Sequence, residues 1–325
     1  KALGDEPGAR RVARELLAYV LDASRRARTP LARSALDGAR LTAATSSAIR
    51  SVDGDNDLAS RMTGTQVFER GAGIFQRKAP VDHRLQLAFA RKFGDPIEYP
   101  QLKGLPELPM ITAVVKLEHE RNNFGGIWHA DTTYLEEPPM GTILYALQVP
   151  PFGGDTMFAN QYLAYESLSE PMRKWLDGMT AVSVSTKADV SKTREDMVVS
   201  ATGQSQAHDY AAEHPAVRTH PETGRRSLYV NVAHTSHFVG MSEAESAPIL
   251  QYLFAHQVKP EFTCRFSWRK GSLAFWDNRA AQHNPVNDYH GYRRVMRRIT
   301  LGGDQASLRC RTCPREIGRS GSCHP

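Results

Sequence analysis

Between residues 142 and 301 the chain repeats one device. Short runs rich in β-branched and aromatic residues recur, most of them closed by Pro, Gly, Asn or Asp: "TILYALQV" (142–149), "DTMFAN" (155–160), "AVRTH" (216–220), "SLYVNV" (227–232), "FTCRFSW" (262–268), "SLAFW" (272–276) and "RRVMRRITL" (293–301). Such runs are too short for helices and too apolar for loops, so they read as strands. Many short strands separated by turns predict a mainly β chain with flanking helices, built as a sandwich or jelly roll. The segment "PPFGG" between the first two runs predicts a hairpin. Upstream, a short strand is expected at 73–76 and a helix over 81–92, stopped by Gly94. Helical spacing recurs in "YLAYESLSEPMRKWLDGM" and in "SEAESAPILQYLFAHQV", whose Ser242 and Glu245 stand in capping-box spacing.

Composition narrows the function classes. Of the formal charge of +6, residues 1–50 carry +5, from ten Lys and Arg against five acids, and residues 305–325 carry +3, leaving −2 for the body between. A basic excess confined to the two ends, with no basic stripe interleaved with aromatics, argues against a nucleic-acid partner. No run approaches the roughly 20 apolar residues needed to span a bilayer, and the first residues lack the apolar block of a secretory leader. The expectation is a cytoplasmic protein acting on a small molecule, with homo-oligomerisation open, although the first residue is Lys rather than Met. Cys310, Cys313 and Cys323 with His324 offer zinc-like spacing in a tail almost without apolar residues, and Cys264 reads as a buried strand thiol. Three regions follow: a basic N-terminal part over 1–60, a main domain over 61–304, and a basic Cys-containing tail over 305–325.

The chemistry concentrates in "GIWHADTTYLEEPP". If "WHADTTY" is a strand, its period of two puts His129 and Asp131 on one face. A third ligand is then wanted from a neighbouring strand end, and His283 in "SLAFWDNRAAQHNPV" offers it. Two imidazoles and one carboxylate on one side of a metal, with the other positions open, is the arrangement of non-haem Fe(II) oxygenases. A His-x-Asp pair alone is common, and more often a surface hydrogen-bonded pair than a metal site.

The company this pair keeps is more specific. "WHADTTYLEEPPMG", "PPFGGDTMFANQYLAYESLS", "HPAVRTHPETGRRSLYVNVAHT" and "WDNRAAQHNPVNDYHGYRRVMRRITLGGD" closely resemble, in order and spacing, segments of the taurine dioxygenase and dichlorophenoxyacetate dioxygenase superfamily, over residues 73–304. The resemblance implies a double-stranded β-helix, a jelly-roll variant resembling cupins, and an Fe(II)- and 2-oxoglutarate-dependent dioxygenase that consumes O2 and releases succinate and CO2. It implies His129, Asp131 and His283 as iron ligands. It also implies Arg294 and Thr156 as the pair holding the distal carboxylate of 2-oxoglutarate, a role that suits a bidentate guanidinium and a donating hydroxyl.

For the primary substrate, the resemblance places Arg298 where the taurine enzymes bind a sulfonate, which predicts an anionic head group. At the other taurine-binding positions stand Tyr99 and Gly125 in place of His and Asn, so a larger or more apolar acid than taurine is expected, with Tyr99, Leu102 and Tyr134 along its body. Sulfonates, sulfate esters, aryloxy acids and alkyl acids are the candidate classes. Two rivals use the same triad: a cupin-like metal-dependent hydrolase or isomerase, which would need neither Arg294 nor Thr156, and a non-catalytic jelly-roll binding protein. The polar stretch 187–214 reads either as a lid that would bring Asp189, Lys192 and Arg194 to the substrate or as an ordinary surface insert.

Overall fold

The computed structural model describes residues 62–68, 72–77, 82–99, 102–187 and 209–307. The cysteines of the tail, residues 1–61 and Asp189, Lys192 and Arg194 lie outside the described residues.

The larger sheet is eight-stranded. Its central members are β5 (Leu108–Lys116), β6 (Gly141–Gln148), β14 (Ser272–Asp277) and β16 (Arg294–Leu301). They stand in the order β14-β6-β16-β5 and are antiparallel throughout. The edges are β1 (Met62–Phe68) and β2 (Ala72–Arg77) beyond β14, and β4 (Gly104–Leu105) beyond β5, with β3 (Pro96–Ile97) paired to β16.

Both faces of this sheet are covered, which is why its strands read as nearly unbroken apolar runs. Outward, Ile143, Tyr145, Leu273, Phe275, Ile299 and Leu301 pack with Leu87, Phe89 and Ala90 of α1 (His83–Ala90). Inward, the alternate residues Leu144, Ala146, Ala274, Trp276 and Met296 meet Phe158 and Phe266 of a second sheet. That sheet is three-stranded, in the order β13 (Thr263–Phe266), β7 (Thr156–Asn160), β15 (Ala281–Pro285). Two facing antiparallel sheets with flanking helices form the expected jelly-roll core.

A separate apolar cluster joins α2 (Gln161–Glu166), α3 (Glu170–Leu176) and α4 (Glu243–His256) to β8 (Thr180–Val184), β10 (Val217–Thr219) and β11 (Arg226–Leu228). The capping box at Ser242 and Glu245 is formed in both directions.

Several expectations are corrected. The runs at 142–149 and 155–160 are not a hairpin, because β6 lies in the larger sheet and β7 in the smaller. The Pro-Pro-Phe-Gly-Gly segment instead carries the chain from one sheet to the other, with Gly153 and Gly154 both at positive φ. The helix expected over 162–179 is two helices, α2 and α3, because Ser169 and Pro171 start a new one. The run 227–232 is strand only at its start, in β11. Cys264 sits on β13 but is partly rather than fully buried. At the C-terminal end of the 187–214 stretch, β9 (Ala211–Pro215) pairs with β8 and His214 is hydrogen-bonded to the Leu135 carbonyl at 2.9 Å, while residues 188–208 lie outside the described residues.

Candidate active site

"WHADTTY" is not a strand. His129 alone bridges to β15, exchanging backbone hydrogen bonds with His283 at 3.0 and 2.8 Å, and the chain then turns through 131–134. Thr132 takes a left-handed conformation at φ 42°. The turn, rather than a pleat, therefore swings Asp131 beside His129, while the bridge sets His283 opposite.

The three side chains offer ligand atoms within 4.8 Å of one another, and all three are buried. His129 Nε2 and His283 Nε2 stand 3.7 and 3.8 Å from Asp131 Oδ1, too far for hydrogen bonds. His129 Nδ1 is hydrogen-bonded to the Ile127 carbonyl at 2.7 Å, so Nε2 is left unprotonated in the neutral ring. Burial lowers the pKa of both histidines, which favours the neutral ligand form. Asp131 Oδ1 is buried without a hydrogen-bond partner. A buried carboxylate oxygen facing two imidazole nitrogens is costly alone and satisfied by a cation, so the donor set fits Fe(II).

The other carboxylate oxygen is occupied. Asp131 Oδ2 accepts from Thr142 Oγ1 at 2.7 Å and pairs with Arg298 at 2.9 Å. Burial would raise the carboxyl's pKa, but the Arg298 guanidinium beside it holds it well below the usual carboxylate range. Thr142 also accepts from Asn278, which receives the Trp276 indole N–H at 3.0 Å. Asp277 and Arg279, flanking Asn278, form a closed network with His220 and Glu222. The backbone amides of Glu222 and Thr223 donate to His220 Nδ1, so Nε2–H donates to Asp277. This second grouping of metal-capable side chains is thus spent on itself and braces the turn leading to His283.

Arg294 and Thr156 face the interior from opposite sheets. Arg294 is buried, and its Nε and Nη2 have no hydrogen-bond partner. An unpaired buried guanidinium is expensive unless an anion completes it. The Trp268 indole N–H donates to Thr156 Oγ1 at 2.9 Å, and Arg294 lies over the Trp268 ring at 5.6 Å.

Tyr99 lies under Arg298 at 4.3 Å, and burial pushes its hydroxyl up to about 12. Tyr134 stacks on Tyr210 and meets His234 edge-on at 5.0 Å. His234, which sequence reasoning did not single out, also stands edge-on to His129, and burial pushes its pKa down to about 3. Gly125 lies against the His129 ring: a Cβ there would come within 3.0 Å of His129 Cε1. Leu102 is half-buried, its amide donating to the Tyr99 carbonyl at 3.4 Å.

The family described as "Taurine catabolism dioxygenase TauD, TfdA family" matches residues 43–300. The chain belongs to this family. A Pseudomonas putida alpha-ketoglutarate-dependent sulfate ester dioxygenase is 34% identical over 244 residues, which is 71% of this chain and 76% of the relative. An alpha-ketoglutarate-dependent 2,4-dichlorophenoxyacetate dioxygenase of Burkholderia sp. (strain RASC) is 30% identical over 76% of this chain and 86% of the relative. The crystal structure of a taurine dioxygenase from Burkholderia xenovorans superposes with a TM-score of 0.59 at 32% identity, covering 81% of each chain. This TauD/TfdA-family chain is a 2-oxoglutarate-dependent dioxygenase that uses Fe(II) and O2. Among the described residues, no helix is long and apolar enough to cross a membrane.

Proposed function

We propose that His129, Asp131 and His283 hold the iron, that Arg294 and Thr156 hold the distal carboxylate of 2-oxoglutarate, and that the enzyme hydroxylates a small anionic acid. The observation that carries this reading is a pair of uncompensated buried groups: Asp131 Oδ1 between two imidazoles, and the Nε and Nη2 of Arg294 without an acceptor. A cation answers the first and a carboxylate the second. A metal-dependent hydrolase or isomerase would have no use for the second.

When bound, Fe(II) with 2-oxoglutarate and O2 supplies the oxidation that yields succinate, CO2 and a hydroxylated substrate. The protein's own residues hold and aim. Thr142 and Arg298 fix the outer oxygen of Asp131, leaving the inner one for the metal. The bond to Ile127 fixes the His129 ring. Arg294 orients the cosubstrate by its far end.

The substrate side is read as Arg298, Tyr99, Leu102 and Gly125, with Tyr134 beside Tyr99 and His234 against Tyr134. Arg298 recognises the anion while keeping its hold on Asp131, and Gly125 keeps the His129 ring uncrowded. Aromatic rings along this side suit an aryl or long alkyl body. Named activities among the relatives, on sulfate esters and on 2,4-dichlorophenoxyacetate, point to the same range. A panel of alkyl sulfates, sulfonates, aryloxyacetates and alkyl acids, scored by succinate formed with Fe(II) and O2, tests the reading. Succinate formation that one of these acids stimulates, with a matching hydroxylated or cleaved product, is expected. Turnover of a panel member without 2-oxoglutarate consumption would overturn it.

A further inference from the structure

We propose that Trp268 is a positioning residue for 2-oxoglutarate: its indole N–H fixes the Thr156 hydroxyl as a donor, and its ring seats the guanidinium of Arg294. The inference rests on the reading of Thr156 and Arg294 as the cosubstrate's anchor and adds a third residue to it.

A threonine hydroxyl has one proton to donate and lone pairs to accept with. Trp Nε1–H can only donate. At 2.9 Å from Trp268 Nε1, Thr156 Oγ1 is therefore the acceptor in that bond. With the lone pair on that side engaged, the hydroxyl proton is left for another partner, which an incoming carboxylate supplies. The same indole presents its face to Arg294, 5.6 Å from the ring centroid. Trp268 thus touches both groups, which stand on different sheets.

Trp268 is itself held. It is 8% exposed, Phe266 meets its ring edge-on at 4.9 Å, and it belongs to the apolar cluster between the two sheets. Its neighbour Ser267 is hydrogen-bonded to Asp155 at 3.0 Å, one residue before Thr156. The segment 266–268 is thereby locked against the start of β7. Arg294 is kept close by the bare backbone of Gly154, where a Cβ would lie 3.4 Å from Arg294 Cδ. A directed hydroxyl and an unpaired guanidinium, both in contact with one rigid indole, form a preorganised carboxylate receptor.

The test uses the full chain loaded with redox-inert, diamagnetic Zn(II), and two probes: N-oxalylglycine, which carries the distal carboxylate, and oxalate, which chelates without one. Calorimetric affinities are measured for the wild type, Trp268→Phe, Thr156→Val and the double variant. Trp268→Phe keeps a ring and removes the N–H. It should weaken N-oxalylglycine about five- to tenfold, the scale of one neutral hydrogen bond, and leave oxalate unchanged. The double variant should bind no more weakly than Thr156→Val alone, because the N–H acts through that hydroxyl. Wild-type affinity in Trp268→Phe, additive losses, or equal losses for both probes would each overturn the proposal. The wild type gives a second measurement that does not depend on the variant folding: of the four tryptophan indole N–H resonances of the chain, one should respond to N-oxalylglycine and not to oxalate. No such resonance counts against it. Failure of the anchor reading itself is distinguishable, since N-oxalylglycine would then bind Arg294→Met as tightly as the wild type.

Discussion

Arg298 and Asp131 form a buried ion pair at 2.9 Å on the side of the carboxylate that faces away from His129 and His283. The residue that sequence reasoning assigned to the substrate thus also grips the carboxylate proposed as an iron ligand. Replacing Arg298 with Met leaves that carboxylate buried with the Thr142 hydroxyl still donating to it, and breaking such a pair costs about 3–5 kcal/mol. Urea denaturation of the metal-free variant should show a loss of that order, smaller once Fe(II) is added. Unchanged metal-free stability would confine Arg298 to substrate binding.

His129→Ala and His283→Ala should each empty the site of metal and end 2-oxoglutarate decarboxylation together, since two donors hold Fe(II) poorly. Metal analysis of the purified variants and a succinate assay check this. Retained iron with normal turnover would remove the altered residue from the ligand set.

Arg294→Met should keep the iron and lose the cosubstrate. A truncated partner of a buried charge pair costs about 2–5 kcal/mol, so the KM for 2-oxoglutarate should rise at least about 30-fold while metal content stays at the wild-type level. An unchanged KM would point to another basic residue as the anchor.

Thr132 stores backbone strain immediately after Asp131, at φ 42° in a β-branched residue whose hydroxyl is buried without a partner. Thr132→Gly removes strain of about 1–3 kcal/mol and returns part of it as chain entropy. A net gain of about 1 kcal/mol in stability is expected, with weaker Fe(II) retention because Asp131 is less firmly aimed. Thermal unfolding and a metal titration measure the two effects separately, and a destabilised variant would refute the strain.

Acid should weaken the metal-free protein through its buried histidines. His234 falls from 6.5 to about 3 on folding. Between those values the unfolded chain binds the proton and the folded one does not, so stability present above about pH 6.5 is lost as the pH falls toward 3. His129 and His283 shift in the same direction. Melting temperatures followed from about pH 7 down to about pH 4 should decline, and His234→Phe should flatten the slope. A parallel slope in that variant would show that His234 does not titrate as described.

The strands were legible where a short apolar run is bounded by turn residues, as in 272–276 and 293–301, because the larger sheet is buried on both faces. "LPMITAVVK" carries a similar pattern at Ile111 to Val115 and became β5, although no strand was expected there. Turn residues announce that the chain bends but not which sheet it enters next, so the segment from 150 to 154 was misread as a hairpin. His129, Asp131 and His283 were found by residue type and spacing, yet the geometry that unites them, a β-bridge and a left-handed turn, has no periodic signature. The partnership of Arg298 with Asp131 was illegible for a simpler reason: it joins residues distant in the chain whose proximity exists only after both sheets have formed.

Thr156 rides on the smaller sheet and Arg294 on the larger. On the proposed assignment, one small dicarboxylate is a tie-rod between the two halves of the jelly roll. Succinate retains the same distal carboxylate after CO2 has left, so the tie outlasts the chemistry. Each catalytic cycle then ends with a mechanical event, the two sheets letting go of a spent strut before a fresh one can be fitted.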